Sequence, residues 1–180
     1  MGTILITDAS VLINLVASGA AGEILSGCGM EFKVCPDVIR EVKVLRDRET
    51  GEELAIDLEP FFTAGILERI EPQTDSEFEL LIDYAALLGA GDGEAMCFAL
   101  AESRGHPIAI DDERAIRRAN KRNPNFETLG TLEILILWQE RNGIADERMG
   151  QLLQSIFRFA RFRPAVPQPH YAWWQRCWGG

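Results

Sequence analysis

Short apolar runs alternate with amphipathic segments along the chain, which is the pattern of parallel strands connected by helices. Runs rich in apolar and β-branched residues predict strands at 3–7, 32–35 and 67–70, and 126–131 is either a turn or a last short strand. The amphipathic segments predict helices at 10–17, 20–26, 36–45, 76–88, 132–139 and 147–159. The predicted fold class is therefore α/β, with a mostly parallel central sheet and helices on both faces.

The segment 89–121, GAGDGEAMCFALAESRGHPIAIDDERAIRRANK, is the most informative stretch of the chain. A glycine-rich turn leads into a helix, and a tight turn then leads into a short buried strand and a second helix. Acidic residues stand where the first helix begins and where the strand ends. Because ligands in an open α/β sheet bind outside the carboxyl ends of the strands, we expect these acids to face a shared crevice.

Two segments show neither pattern. Residues 46–60 are charged and are predicted to form a loop, and residues 161–180 are predicted to form an irregular tail. We expect one domain at 1–140, followed by a C-terminal helix and an aromatic and basic tail at 141–180. A hydrophobic content of 47% over 180 residues is enough for one ordinary core.

The cellular compartment is predicted from what the sequence lacks. No apolar run reaches the roughly 18 residues of a membrane span, and the N-terminus has no basic flank of the signal-peptide type. The four cysteines show no CxxC spacing; they are Cys28, Cys35, Cys97 and Cys177. We therefore expect a reduced, cytoplasmic protein without structural zinc and without a membrane partner.

The charge is strongly and unevenly acidic. The formal net charge is −10, which argues against a general nucleic-acid binder. Residues 1–140 carry a net charge of −14, whereas residues 141–180 carry a net charge of +4. An acidic body repels nucleic acid, so an RNA-directed function requires metal ions or local basic stripes.

Carboxylates stand at element boundaries that a parallel sheet brings to one edge: Asp8, Glu41, Asp92, Glu94, Asp111 and Asp112. Taken singly, each has an ordinary explanation as a helix cap or as a favourable charge at the positive helix end. Glu41 differs, because it shares the predicted helical stripe of Val38, Val42 and Leu45, and an unpaired carboxylate on such a stripe is costly to bury. It therefore either has a compensating partner or lies at a partly exposed edge of the stripe.

As a set, these acids indicate a metal site. Several carboxylates cannot converge unless protons or cations offset their repulsion. Oxygen ligands favour Mg²⁺ or Mn²⁺ over zinc, and neither His106 nor His170 has a partner at ligand spacing. The sequence shows no convincing Ser-His-Asp set and no Walker-type loop. A phosphotransfer domain is disfavoured too, because no lysine is suitably placed and Asp8 is not part of a DxD motif.

The chain resembles a PIN domain, the fold of the VapC-type toxin ribonucleases. The resemblance rests on the order and spacing of TDASVLINL, PDVIREV, GDGEAMCFALA, AIDDERAIRRA and LGTLEILI, and it covers about residues 3–140. It implies a three-layer sandwich and a site that uses Mg²⁺ or Mn²⁺ to cleave RNA phosphodiester bonds. An antitoxin-like interaction protein would not require an acid cluster of this kind.

The resemblance also implies roles for individual residues. The catalytic acids match Asp8, Glu41, Glu94 and Asp112, with Asp111 as the other candidate for the fourth position and Asp92 as a further ligand or a cap. Ser10 and Thr131 match polar positions that line such sites, although a hydroxyl there is also a routine cap.

Basic residues predict where an RNA substrate would be held. Residues at i, i+3, i+4 and i+7 of the last helix of 89–121 form a basic face: Arg114, Arg117, Arg118 and Lys121. They bind RNA phosphates or form a solvated helix face. Arginines and aromatic residues of the tail suit base stacking or a protein interface, and we favour an interface with a homodimer partner or an antitoxin. The alternative function is that of a catalytically inactive PIN module that binds RNA or protein.

Overall fold

Five parallel strands form the central sheet of the protein, seen in a computed structural model that describes residues 2–89, 92–166 and 168–179, and of Asp92 only the backbone. The strands in chain order are β1 (Thr3–Thr7), β2 (Met30–Val34), β3 (Val44–Arg46), β4 (Glu53–Ala55), β5 (Leu67–Arg69), β6 (Ile108–Ala109) and β7 (Thr128–Leu129). The helices are α1 (Ala9–Ala17), α2 (Ala21–Gly27), α3 (Pro36–Glu41), α4 (Glu59–Thr63), α5 (Asp75–Leu88), α6 (Asp92–Arg104), α7 (Glu113–Ala119), α8 (Thr131–Asn142), α9 (Asp146–Ala160) and α10 (Tyr171–Trp178).

The central sheet has the strand order β5-β2-β1-β6-β7. All four neighbouring pairs are parallel, with Ile6 of β1 opposite Lys33 of β2 on one side and Ile108 of β6 on the other. The helices form two groups: α1 contacts α2, α8 and α9 in the first, and α6 contacts α3 and α5 in the second. The predicted three-layer α/β sandwich with a parallel sheet is confirmed.

The strands begin and end close to where the apolar runs do, because the central strands are buried on both faces. Leu5 and Ile6 of β1 and both residues of β6 are fully buried. This burial requires apolar side chains in succession, which is the pattern that a parallel sheet gives in sequence. The aromatic centre of the second helix group is formed by Phe98, whose ring lies 5.6 Å from Tyr84 and 5.3 Å from Phe126.

Two predicted loops are wrong. The segment 46–60 contains β4, which pairs antiparallel with β3, and it also contains the beginning of α4. The turn between the two strands is organised by the buried Asp47, whose carboxylate accepts hydrogen bonds from the backbone of Glu49 (2.8 Å) and from Arg158 Nε of α9 (3.0 Å). The long-range bond to α9 is not visible in the local sequence, where charged residues simply indicate exposure.

The predicted irregular tail contains α10. In α10, the ring of Trp174 stacks on the rings of Trp178 and Tyr171, with 4.7 Å and 5.8 Å between the ring centroids. Arg176 donates a hydrogen bond to Asp146 of α9 at 2.8 Å. The prolines that precede α10 made the whole segment look irregular. The spacing of the three aromatic residues at i, i+3 and i+7 was the helical signal.

No single helix in the described part of the chain is long and apolar enough to cross a membrane, although α1 and α2, joined at a bend of 118°, pass the test of length and composition as a pair. All four cysteines are buried free thiols.

Acid pH is expected to weaken the contact between α5 and α6 through Glu77. The Glu77 carboxylate is buried and accepts hydrogen bonds from Arg104 Nε (2.6 Å) and from the backbone of Gln73 (2.7 Å), and Arg104 lowers the pKa of Glu77 to about 2. Because the folded pKa is depressed, this stabilisation is present above the unfolded pKa and is lost as pH falls towards 2. We expect Glu77→Gln to lower the free energy of unfolding at pH 7 by about 1–3 kcal/mol.

Urea unfolding of the wild type and Glu77→Gln at pH 7 and pH 3 measures this effect. The difference between the two proteins should shrink at pH 3, whereas the exposed Glu79→Gln variant should follow the wild type at both pH values. A difference that stays constant with pH would assign the stabilisation to packing rather than to the ion pair.

Candidate functional site

The carboxyl ends of β1 and β6 lie side by side at the point where the strand order reverses. From β1 the chain passes to β2 on one side, and it returns to β6 on the other. Such a switch point opens a crevice above the sheet. Asp8 directly follows β1, and Asp111 and Asp112 follow β6 by two and three residues, so the topology brings these three acids to one crevice.

Asp8 is both a helix cap and a crevice carboxylate. Its side chain is 3% exposed, and Oδ2 accepts hydrogen bonds from the backbone of Ser10 (3.1 Å) and from Ser10 Oγ (2.7 Å). Its own backbone N donates to Ala109 O of β6 at 2.9 Å. Both side-chain bonds use Oδ2, and Oδ1 accepts none from the residues that the structure describes. Capping α1 therefore leaves one oxygen for a ligand.

The helix that carries Glu41 is shorter than predicted. α3 ends at Glu41, and Leu45 belongs to β3, so the predicted helical stripe through Leu45 is wrong. Glu41 is exposed, which agrees with the edge position that the sequence left open, and its carboxylate lies against the first turn of α6. A Cβ atom at Gly93 would lie 2.9 Å from Glu41 Oε1, so the glycine lets the carboxylate approach this closely.

Glu94 experiences the negative charge of the other candidate acids. Its pKa is raised to about 7, first by burial and then by the charges of Asp8, Asp112 and Glu41, while Arg118 acts in the opposite direction. Carboxylates raise the pKa of a neighbour in this way when they share a site without a counter-ion. The charges of Asp8, Asp112 and Glu41 thus act on Glu94, the remaining assigned position.

Two buried cysteines hold the elements that carry these acids together. Cys35 precedes α3, and its sulfur lies 3.9 Å from the sulfur of Cys97, which is three residues after Glu94 on α6. Cys97 Sγ also lies 3.8 Å from Thr7 O at the end of β1. The hydrogen bond to Cys35 raises the pKa of the Cys97 thiol, as do burial and the charges of Asp8 and Glu41. The two buried sulfur atoms therefore act as packing groups between β1, α3 and α6.

Asp111 and Asp112 have different environments. Asp111 Oδ2 accepts from Thr131 Oγ1 (2.5 Å) and Asn14 Nδ2 (3.0 Å), and Oδ1 accepts from the backbone of Thr131 (2.8 Å). Burial raises its pKa against these hydrogen bonds. Asp112 is exposed and caps α7, with Oδ1 accepting from the backbone of Arg114 (2.7 Å) and Ala115 (3.0 Å).

Asn14 was missed by the sequence reasoning. It is 5% exposed on α1 and donates to both Asp111 and Thr131 Oγ1, the latter at 3.1 Å. The only local signal was a lone amide between Ile13 and Leu15 on an apolar helix, since a buried amide requires polar partners. Thr131, a predicted supporting residue, lies in this network, and Ser10 Oγ accepts a hydrogen bond from the backbone of Asp111 at 3.4 Å.

The set of donors suits a hard cation, although the side chains stand apart. Within the described residues, which exclude the side chain of Asp92, no three acidic, histidine or cysteine side chains are gathered closely enough to hold a metal ion. The predicted ligand Asp92 thus lies outside the described side chains. The carboxylate oxygens of Asp8 and Asp112 that accept no capping hydrogen bond are ligands of the kind that Mg²⁺ or Mn²⁺ prefers.

The predicted basic face is only partly available to RNA. α7 ends at Ala119, so Lys121 lies in the turn that follows it. Arg117 pairs with Glu113 at 3.0 Å, and Arg118 donates a hydrogen bond to Leu88 O. Arg114 and Lys121 are exposed and form no ion pair with any described residue.

Comparison with known proteins places this geometry in a family. Residues 4–165 match the model of a family described as PIN domain. No curated protein and no solved structure gives a significant match to the chain. The match extends past residue 140, and the division of the chain at that point stays a prediction. Since the matched range includes all the candidate acids and most of the 180 residues, the chain belongs to the PIN domain family, whose fold is of the nuclease type.

Proposed function

We propose that the protein is an endoribonuclease that requires Mg²⁺ or Mn²⁺ and hydrolyses RNA phosphodiester bonds. The observation that carries the proposal is the placement of the acids: Asp8 and Asp112 follow neighbouring strands at the switch point, and the Glu41 carboxylate lies against the first turn of α6, the helix of Glu94. The pKa of Glu94, raised first by burial and then by the charges of the other three acids, supports it. A fold gains no stability from carboxylates that repel one another, so their placement at the switch point favours a cation-dependent role. Membership of the PIN domain family supports a nuclease over other uses of a hard-cation site.

The residues of the chain have separate tasks in this reaction. Asp8 and Asp112 would hold a cation through the oxygens that helix capping leaves open, with Glu41 and Glu94 completing the acidic wall. The bound ion would supply an activated water and stabilise the negative charge that develops on the phosphate. Ser10 fixes the orientation of Asp8, and the network of Asn14 and Thr131 fixes the backbone from which Asp112 projects.

Cleavage of a single-stranded RNA of mixed sequence, followed by gel electrophoresis, tests the proposal. Product should form with Mn²⁺ or Mg²⁺ and should not form with EDTA. Addition of Mn²⁺ should also raise the melting temperature, because a ligand that binds only the folded state stabilises it. Metal stabilisation without cleavage of any RNA would favour the alternative, a PIN module that binds RNA or protein without cutting.

The salt dependence of RNA binding should distinguish two pairs of basic residues near the acids. Arg114 and Lys121 form no ion pair within the described chain, whereas Arg117 and Arg118 already have acceptors. For single-stranded RNA, each lost phosphate contact should flatten the slope of log K against log salt by roughly 0.7. We expect the Arg114→Ala/Lys121→Ala variant to flatten this slope by the amount of two lost phosphate contacts. The Arg117→Ala/Arg118→Ala variant should flatten the slope by less.

Fluorescence anisotropy in EDTA, where cleavage does not interfere, measures these slopes. If the two double variants and the wild type have equal slopes, the basic residues of α7 and its following turn do not bind the RNA phosphates. The arginines of the tail would then be the better candidates.

The narrower form of the proposal is a toxin role, with an antitoxin as protein partner and a homodimer as the assembly. Induced expression in bacteria should then slow growth for the wild type and not for Asp8→Asn. Equal growth of the two strains would leave an RNA-cleaving enzyme without a toxin role. Analytical ultracentrifugation tests the homodimer.

A further inference from the structure

A hollow of about 230 Å³ borders the acidic crevice on the side of β6 and β7. Its wall is formed by the start of α7, the start of α8 and the segment between α9 and α10, which contribute Glu113, Ile116, Leu132, Glu133, Phe162 and Gln168. Asp111 also lines it, and Glu113 directly follows the candidate ligand Asp112. The hollow and the crevice therefore share the carboxyl edge of the sheet.

We infer that this hollow binds one unpaired RNA base next to the cleaved phosphate and prefers a base that carries an exocyclic amine. The inference rests on the proposed function, since it concerns the substrate of the same site. Proteins that recognise sequence in RNA bind bases that are splayed out of a single strand. A base beside a phosphate that is bound through a cation at Asp112 would lie near the start of α7, which lines the hollow.

The apolar part of the wall suits the face of a base. Ile116 and Phe162 are partly exposed, and Leu132 forms the buried floor beneath them. Phe162 comes from the tail, which is otherwise remote in sequence from the acids. Stacking of a base on an aromatic ring favours binding whatever the base, so these residues provide affinity rather than selectivity.

The polar part of the wall accepts hydrogen bonds. Glu113 accepts from Gln168 Nε2 at 2.8 Å and from Arg117, and Glu133 accepts from the backbone of Gly130 at 2.9 Å and lies 3.1 Å from His170 Nε2. Each carboxylate has about four acceptor positions, so both retain capacity towards the hollow. An ionised carboxylate cannot donate, and it therefore favours an amine of the base over a carbonyl.

Cytidine and uridine are the matched probes for this site, because they differ at the exocyclic amine and at N3. Both are neutral and need neither metal nor cleavage to bind. Titration of the ¹⁵N-labelled wild-type chain should shift the amide signals of 130–133, Phe162 and Gln168, with cytidine binding about tenfold more tightly than uridine. Shifts elsewhere only, or equal affinities for the two nucleosides, would overturn the inference.

Three variants separate stacking, selectivity and general damage. Phe162→Leu keeps an apolar side chain and removes the aromatic ring, so it should weaken the binding of both nucleosides by a similar factor. Glu133→Gln offers an amide that also donates, so it should bring the ratio of affinities close to one while the melting temperature stays near that of the wild type. Phe78→Ala, at a half-exposed ring on α5, should leave both affinities unchanged. A Glu133→Gln protein that keeps the wild-type ratio would contradict the assigned selectivity.

The test of nucleoside binding and the test of RNA cleavage can fail separately. Nucleoside binding in the hollow by a protein that cleaves no RNA would leave a base-binding site in a non-cutting module. Cleavage of RNA by a protein that binds neither nucleoside there would keep the enzyme and remove the base site.

Discussion

Asp8→Asn is expected to lower RNA cleavage by at least about a hundredfold, since even groups that only support a metal ligand contribute factors of that order. The variant should still fold, because asparagine can accept the hydrogen bonds from Ser10 and remains a good helix cap. It also removes one negative charge from the group that raises the pKa of Glu94, so the metal-free protein should be as stable as the wild type or more stable. The measurements are RNA cleavage with Mn²⁺ and thermal unfolding with and without Mn²⁺.

Asp75→Asn is the matched control, since it exchanges an exposed aspartate in the first turn of α5, away from the crevice. It should keep both cleavage and the rise in melting temperature that Mn²⁺ produces. If metal-free Asp8→Asn is unfolded, the role of Asp8 is structural. If it cleaves RNA like the wild type, the acids at the switch point are not the nuclease site.

The parallel sheet and the position of acids directly after its strands could be predicted because both depend on features visible in local sequence. The apolar run of β1 ends at Asp8, and the buried run of β6 ends just before Asp111. A parallel sheet then brings these ends together whatever the intervening sequence. Glu41 was singled out by a helical stripe that the structure shortens: α3 ends at Glu41, and the side chain reaches the first turn of α6 from an exposed position.

The features that could not be predicted depend on contacts between residues that are far apart in sequence. The hairpin of β3 and β4 is held by the pair of Asp47 with Arg158, 111 residues later. The network of Asn14 joins α1 to Asp111, 97 residues later. Local charge indicates exposure at Asp47, and the lone amide of Asn14 indicates that it needs a polar partner but not which one, so no window of the sequence contains either contact. The choice between Asp111 and Asp112 was left open for the same reason.

Replacing Asp112 and replacing Asp111 by asparagine should have opposite effects on metal binding and on stability. Asp112→Asn should keep the fold, because an asparagine cap can still accept from the backbone of Arg114, and it should lose cleavage and the stabilisation by Mn²⁺. Asp111→Asn places an amide among three donors from Thr131 and Asn14, so at least one buried group loses its acceptor. We expect Asp111→Asn to lower the free energy of unfolding by about 1–3 kcal/mol.

Urea unfolding without metal, together with the Mn²⁺-induced change in melting temperature, separates the two roles. Asp111→Asn should be destabilised and yet retain a positive response to Mn²⁺ at a temperature where it is folded. The double variant Asn14→Ala/Asp111→Asn should be less destabilised than the sum of its single variants, because both exchanges break the same network. A stable Asp111→Asn protein that no longer responds to Mn²⁺ would make Asp111 the metal ligand and Asp112 only the cap of α7.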